Sequence, residues 1–144
     1  MLYFGPVGDE ELAEALRVAI GDFVRRARAG DRMPPGQAAV LGHLDREGAL
    51  SIADLARRER VRHQSMTRTV HLLGDQGRVE LRPHEADRRQ VVVALTAAGR
   101  EALAAERRHR SAGIASAIRD DLDDEEREII RRIPEVLRKL QPKP

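Results

Sequence analysis

Apolar residues recur along this chain at spacings of three and four, except in one short region where the spacing changes to two. Leu12, Ala15, Leu16, Ala19, Ile20, Phe23 and Val24 form a single stripe that predicts an amphipathic helix over 10–29. The run Gly30-Asp31-Arg32-Met33-Pro34-Pro35-Gly36 breaks it, and Val40, Leu41 and Leu44 predict a second helix over 37–46, closed by Gly48. Ser51 followed by Asp54 has capping-box spacing, so a third helix should start there, with Ile52, Leu55 and Ala56 on its inner face and Arg57 and Arg58 at its exposed end. Glu59-Arg60-Val61 reads as a turn with Val61 as its apolar anchor. The helix from His63 to Gln76 then buries Met66, Val70 and Leu73, with Leu72 widening the stripe, and Gly77 ends it. That register points Gln64, Thr67, Arg68 and His71 away from the core.

The period then changes. Val79 to Arg82 and Gln90 to Leu95 are β-prone, and Pro83-His84-Glu85-Ala86-Asp87-Arg88-Arg89 between them is too polar to bury, which predicts a hairpin with a charged tip. Thr96 should cap a helix running to about residue 120. Its middle, Glu106 to Arg110, is charged on every side and reads as a solvated segment. Asp123 and Glu126 repeat the capping-box spacing ahead of Ile129, Ile130, Ile133, Val136, Leu137 and Leu140, a strongly amphipathic last helix that Pro134 should kink.

The expected fold is therefore mainly α with a small β-hairpin wing: a winged helix-turn-helix flanked by N- and C-terminal helices. Charge adds a partner. Between Arg57 and Arg89 nine arginines stand against five acidic residues, a local excess of four in a chain whose formal net charge is only +2. An α-helix fits the major groove of duplex DNA, where arginine pairs with guanine and glutamine with adenine, and a basic hairpin tip can enter the neighbouring minor groove. The candidate DNA-binding residues are Arg62, His63, Gln64, Ser65, Thr67, Arg68 and His71 on the reading helix and Arg88 and Arg89 on the wing.

The runs SMTRTVHLLGDQGRV and DRRQVVVALTAAG resemble the multiple-antibiotic-resistance regulator (MarR) family, in which a Ser/Thr-rich reading helix is followed by Asp-x-Arg in the wing and then Leu-Thr-x-x-Gly. Gln37 to Gly48 resembles the family's helix before the reader. The resemblance implies a winged-helix homodimer on a pseudo-palindromic operator, most often a repressor relieved by a small lipophilic or phenolic effector held between the dimer helices and the reader. It makes Ser65, Thr67 and Arg68 groove or phosphate contacts, Arg89 the minor-groove arginine, and Asp87 its brace. Arg78 departs from the pattern, since the family usually has an apolar residue after the glycine.

Length and composition set limits. At 144 residues the chain suits one domain, with a reader over 33–96 and dimerisation helices over 1–32 and 97–144. The apolar stripes on the first and last helices could close a monomeric core or pair with twofold mates, and the resemblance favours the second. No run of about 18 apolar residues and no signal-peptide pattern is present, so no membrane partner and a cytoplasmic location are expected. Without cysteine, thiol chemistry is excluded. His43, His63, His71, His84 and His109 show no metal-ligand spacing, and the chain lacks a phosphate cradle, a nucleophile elbow and a zinc-hydrolase helix, so neither cofactor nor enzyme is expected. The only aromatic residues, Tyr3, Phe4 and Phe23, lie far from the basic segment, which disfavours single-stranded nucleic acid; they suit the dimer region or a ligand cavity. A winged helix serving only protein contacts would have no need for Arg68, Arg88 and Arg89 on one face.

Overall fold

In the computed structural model, which describes residues 7–144, the periodicities resolve into six helices and three short strands. They are α1 (Asp9–Arg28), α2 (Pro35–Glu47), β1 (Leu50–Ser51), α3 (Ile52–Glu59), α4 (His63–Asp75), β2 (Val79–Pro83), β3 (Val91–Leu95), α5 (Ala97–Asp121) and α6 (Asp124–Lys139). Tyr3 and Phe4 lie outside the described residues.

The core sits between α2, α3, α4 and the sheet. Val40, Leu41, Leu55, Val70, Leu73 and Val93 are fully buried there, and each contributes about 1.5–3 kcal/mol by leaving water. The sheet is antiparallel in the order β1-β3-β2. β2 and β3 form the expected hairpin, Val79 opposite Leu95 and Pro83 opposite Val91. β1 is an addition to the sequence reading: two residues, Leu50 opposite Val93 and Ser51 opposite Val92, tie the segment before α3 to the wing.

Local chemistry explains the joints. The Ser51 hydroxyl accepts the Asp54 N–H at 3.0 Å, capping α3, but the Asp54 carboxylate turns to Arg57 instead of completing the box. At the start of α6 both halves of the box form: Asp123 accepts from the Glu126 N–H at 2.8 Å and Glu126 from the Asp123 N–H at 3.0 Å. The α3–α4 turn depends on Arg60 adopting a left-handed conformation, φ 54°. Gly77, φ 72°, turns the chain out of α4 into β2 at a position where a side chain would be strained. The Leu-Thr-x-x-Gly run has a steric cause: Thr96 caps α5 through the Gly99 N–H at 3.0 Å, and a Cβ at Gly99 would collide with the Arg78 carbonyl oxygen.

Three sequence expectations need correction. Val61 does not anchor the turn; it is 44% exposed, and its N–H bonds the Ala56 carbonyl instead. Leu72 does not widen the core stripe, because it faces out at 47% exposure beside the fully buried Leu73. Glu106 to Arg110 is not simply solvated. Glu106 is buried and accepts the Arg32 N–H at 2.9 Å, Arg110 grips Asp31 through two hydrogen bonds of 2.6 and 3.1 Å, and His109 Nε2 lies 2.9 Å from the Gly30 carbonyl. Arg107 reaches Asp45 at 3.0 Å. These bonds fasten the α1–α2 loop and α2 to the middle of α5. On the other side of the reader Arg58 pairs with Glu47 and His43 Nε2 lies 2.6 Å from Glu59, which join α2 to α3. The Arg58 hydrogen bond holds the Glu47 carboxyl below its ordinary range.

The terminal helices differ from the rest. Neither α1 nor α6 has a buried residue, so Leu12, Leu16, Ile20 and Phe23 on one and Ile129, Ile130, Ile133, Val136 and Leu137 on the other remain exposed.

Candidate nucleic-acid interface

Burying Met66, Val70 and Leu73 fixes the rotation of α4, so its other side must face solvent. Gln64, Arg68 and His71 lie along that outward side, with His63 and Ser65 exposed in the first turn. None of the described residues accepts a hydrogen bond from the Arg68 guanidinium or from the Gln64 amide, so both groups are free to meet an external partner. Arg62 occupies the N-cap position, exposed, and supplies no capping oxygen, while the first turn has no acidic residue. The amino end of the helix therefore keeps both its dipole and its uncapped N–H groups available to an anion.

Thr67 is the exception in the predicted set. It is half-buried, and its hydroxyl donates to the His63 carbonyl at 2.9 Å, so only its acceptor capacity remains outward. Thr69 back-bonds to the Ser65 carbonyl in the same way, at 3.1 Å. Asp75 is exposed at the far end of α4 and would repel a phosphate backbone, which leaves the amino-terminal two turns as the half suited to a groove.

The wing tip is built around two acceptors. His84 Nδ1 accepts the backbone N–H groups of Ala86 and Asp87, both at 3.1 Å, so the ring proton sits on Nε2. Asp87 Oδ1 then accepts the Arg89 N–H at 3.1 Å and lies 3.3 Å from Arg89 Nε. Its carboxylate thus meets both the Arg89 backbone and the Nε of its guanidinium, while the side chain is otherwise 93% exposed. Arg88 is exposed beside it. The geometry thus separates a rigid helix face from a hairpin tip, with seven predicted residues on the first and Asp87, Arg88 and Arg89 on the second.

Sequence reasoning passed over three groups near this surface. Arg60 projects from the turn just before α4, and Arg82 is exposed on β2. Both belong to the basic excess already visible in the sequence, and their exposure follows from the turn and from the alternation of β2. Leu72 adds an apolar group to the outer side of α4, of a kind that can meet a thymine methyl.

A profile of the MarR family matches residues 33–90, the reader and most of the wing. An HTH-type transcriptional regulator of Mycobacterium leprae (strain TN) is 35% identical over 135 residues, covering 92% of this chain and 94% of that protein. The crystal structure of a transcriptional regulator protein from Pseudomonas aeruginosa PA01 is similar with a TM-score of 0.76 at 27% identity, over 94% of this chain and 97% of that one. The fold is also similar to that of Bordetella bronchiseptica BpsR, whose DNA binding is regulated by 6-hydroxynicotinic acid, with a TM-score of 0.57 at 22% identity over 95% and 100% of the two chains. With a reading helix, a braced wing and relatives matched along almost their whole length, the chain belongs to the MarR family of non-enzymatic, DNA-binding transcriptional regulators.

Proposed function

We propose that this regulator works as a homodimer on a pseudo-palindromic operator in duplex DNA, as a repressor that a small molecule releases. The observation that carries this reading is the division of the surface: the reader has a closed core and a polar outward helix, whereas α1 and α6 present apolar faces with no buried residue. A second copy would cover those faces. The crevice of about 900 Å³ between α1, α5 and α6, lined by Phe23, Ile114, Ile118, Ile130 and Ile133, suits the seat of a partner helix. Twofold pairing through α1 and α6 would set the two α4 helices about one duplex turn, roughly 34 Å, apart.

In each half-site the amino-terminal part of α4 enters the major groove. Gln64 and Arg68 face base edges, with His71 following on the same side just past the second turn, and Arg62, His63, Ser65 and Thr67 lie at the level of the phosphates. Arg89, held by Asp87, enters the minor groove beside it, and Arg88 follows the backbone. The regulation of BpsR by 6-hydroxynicotinic acid supports a small-molecule effector acting through the same fold.

The test is a titration of operator DNA by fluorescence anisotropy at several salt concentrations. The expected result is specific binding whose log affinity falls linearly with log salt, with a slope of about −0.9 for each phosphate neutralised. Affinity equal for operator and unrelated duplex at every salt concentration would refute sequence-specific regulation.

A further inference from the structure

The chain passes from the reader to α6 through α5. The near end of α5 is fixed to the reader: the Thr96 hydroxyl donates to the Gly77 carbonyl at 2.6 Å, Gly99 abuts the Arg78 carbonyl, and Leu103 and Glu106 are buried. From there α5 runs unbroken to Asp121, and only Leu122 and Asp123 separate it from α6. It ends in extended backbone at Leu122, φ −109° and ψ 140°, without the left-handed residue that commonly turns a chain away from a helix. Its last carbonyls, from Ile118 to Asp121, have no partner within the helix. Arg127, one turn into α6, supplies the cap. Its Nε donates to the Ile118 carbonyl at 3.2 Å, Nη2 to the Arg119 carbonyl at 2.7 Å, and Nη1 to Asp124 of its own helix at 2.9 Å. All three nitrogens of one planar guanidinium are engaged, and its charge meets the negative end of the α5 dipole.

No other bond of this kind holds α6. The helix has no buried residue, and among the described residues its remaining side-chain hydrogen bonds and ion pairs stay within α6 and its flanks: Asp123 with Glu126, Glu128 with Arg131, Glu135 with Lys139, and Gln141 with the Arg138 carbonyl. The α1–α2 loop, by contrast, is tied to α5 by Asp31 with Arg110 and by the Arg32 N–H with Glu106. We infer that Arg127 is the positioning residue that sets the direction of α6 against α5 and, through the second copy, the separation of the two reading helices. This inference rests on the dimeric reading above and adds to it the side chain that fixes half-site spacing.

Leverage gives the corner its effect. A 16-residue helix is about 24 Å long, so a swing of about 10° at the corner moves its far end by roughly 4 Å. That displacement matches the rise of one base pair, about 3.4 Å. The apolar side chains that would meet a partner, Ile130, Ile133 and Leu137, all lie beyond Arg127 on this lever, so its angle decides where the second copy sits.

Because the chain has no cysteine, Glu101→Cys on α5 and Glu135→Cys on α6, both exposed, give two unique sites for nitroxide labels. Diluted with an excess of unlabelled chain, the doubly labelled protein reports the distance within one protomer by pulsed electron paramagnetic resonance, whether or not it is paired. Arg127→Ala should widen the distance distribution at least about twofold, and Arg127→Lys, which keeps the cation but loses the fork that spans two carbonyls, should fall between. Asp124→Ala removes only an exposed ion pair and should leave the distribution unchanged. Each variant, checked for dimeric mass and native circular dichroism, then meets the operator with and without two base pairs added between the half-sites, which turns one half-site by roughly 70° against the other. The native chain should prefer the original spacing at least about tenfold, and Arg127→Ala by about threefold or less. If alanine dissociates the dimer, Arg127→Lys carries the spacing comparison. A distribution as narrow in Arg127→Ala as in the native chain, or one that Asp124→Ala widens as much, overturns the clasp. A widened distribution with an unchanged spacing preference overturns the link to half-site spacing. A native chain indifferent to spacing counts against the dimeric reading instead, and the intrachain distance still decides whether Arg127 holds α6.

Discussion

Arg68 and Arg89 carry the same guanidinium on supports of different stiffness, and this decides what each can read. Arg68 leaves a helix pinned by Met66, Val70 and Leu73, so its base is fixed relative to the core. Arg89 leaves a hairpin tip held by Asp87, the His84 turn and two backbone bonds, from the His84 N–H to Gln90 and from the Gln90 N–H to Asp87. Replacing Arg68 by alanine should cost about 1–3 kcal/mol of operator affinity and relax preference at one position of each half-site. Replacing Arg89 should weaken binding most where the flanks are A/T-rich, because a narrow minor groove concentrates negative potential on an inserted arginine. Anisotropy titrations against operators with altered cores and altered flanks distinguish the two; equal losses on every sequence would make both residues phosphate contacts. His84 adds a test of how the tip is held. His84→Ala removes the acceptor for two backbone N–H groups and should weaken binding to A/T-flanked operators by about threefold to tenfold, the worth of one or two neutral hydrogen bonds. His84→Asn retains a side-chain acceptor that can form an Asx turn and should recover most of the loss. If alanine and asparagine behave alike, the imidazole does not position the wing.

Between elements, the joint of the α1–α2 loop with α5 shows where charge is expensive. Asp31 is 5% exposed in its side chain and is matched by Arg110, whose guanidinium that hydrogen bond holds above its ordinary pKa. Arg110→Ala would leave a buried carboxylate without its cation, whereas Asp31→Asn leaves a neutral group that can still accept from the guanidinium. Urea denaturation should show Arg110→Ala losing about 1–3 kcal/mol and Asp31→Asn less; the reverse order would mean the pair is screened like a surface bridge. This joint was hidden in the sequence, where Glu106 to Arg110 is an undivided run of charge and the loop residues that Glu106 and Arg110 meet lie more than seventy residues earlier. Periodicity reports which side of a helix is apolar but not what meets the polar side. The same limit explains Leu72 and Leu73, adjacent leucines of which only the second fits the face shared with Met66 and Val70. β1, at two residues, is too short to carry a period. The helices, the hairpin and the outward residues of α4 were legible because each is set by local spacing, caps or a glycine turn.

At the scale of the whole molecule the unresolved quantity is apolar area. A chain that fully buries leucines and valines inside its reader leaves leucine, isoleucine and phenylalanine side chains of α1 and α6 in contact with water, and α6 pairs a wholly polar side with Ile129, Ile130, Ile133, Val136 and Leu137. Within the chain these faces are not sealed: α5 presents Leu103 and Glu106 to the reader, buries nothing further along among the described residues, and an open crevice remains between α1, α5 and α6. A second protomer can cover what remains, and a stable interface requires only about 800 Å² from each partner. Light scattering should therefore give twice the protomer mass of 16.1 kDa at micromolar concentration. Ile133→Asp would place a charge in the middle of the apolar face and should shift the population toward the protomer mass, while the far-ultraviolet circular dichroism of the reader persists. Operator affinity should fall in the same variant by much more than any single contact explains, since a protomer engages one half-site and loses the gain of binding two at once. A native chain that scatters at the protomer mass across all concentrations, or an Ile133→Asp chain that binds the full operator as tightly as the native, would place the apolar faces of α1 and α6 outside dimerisation.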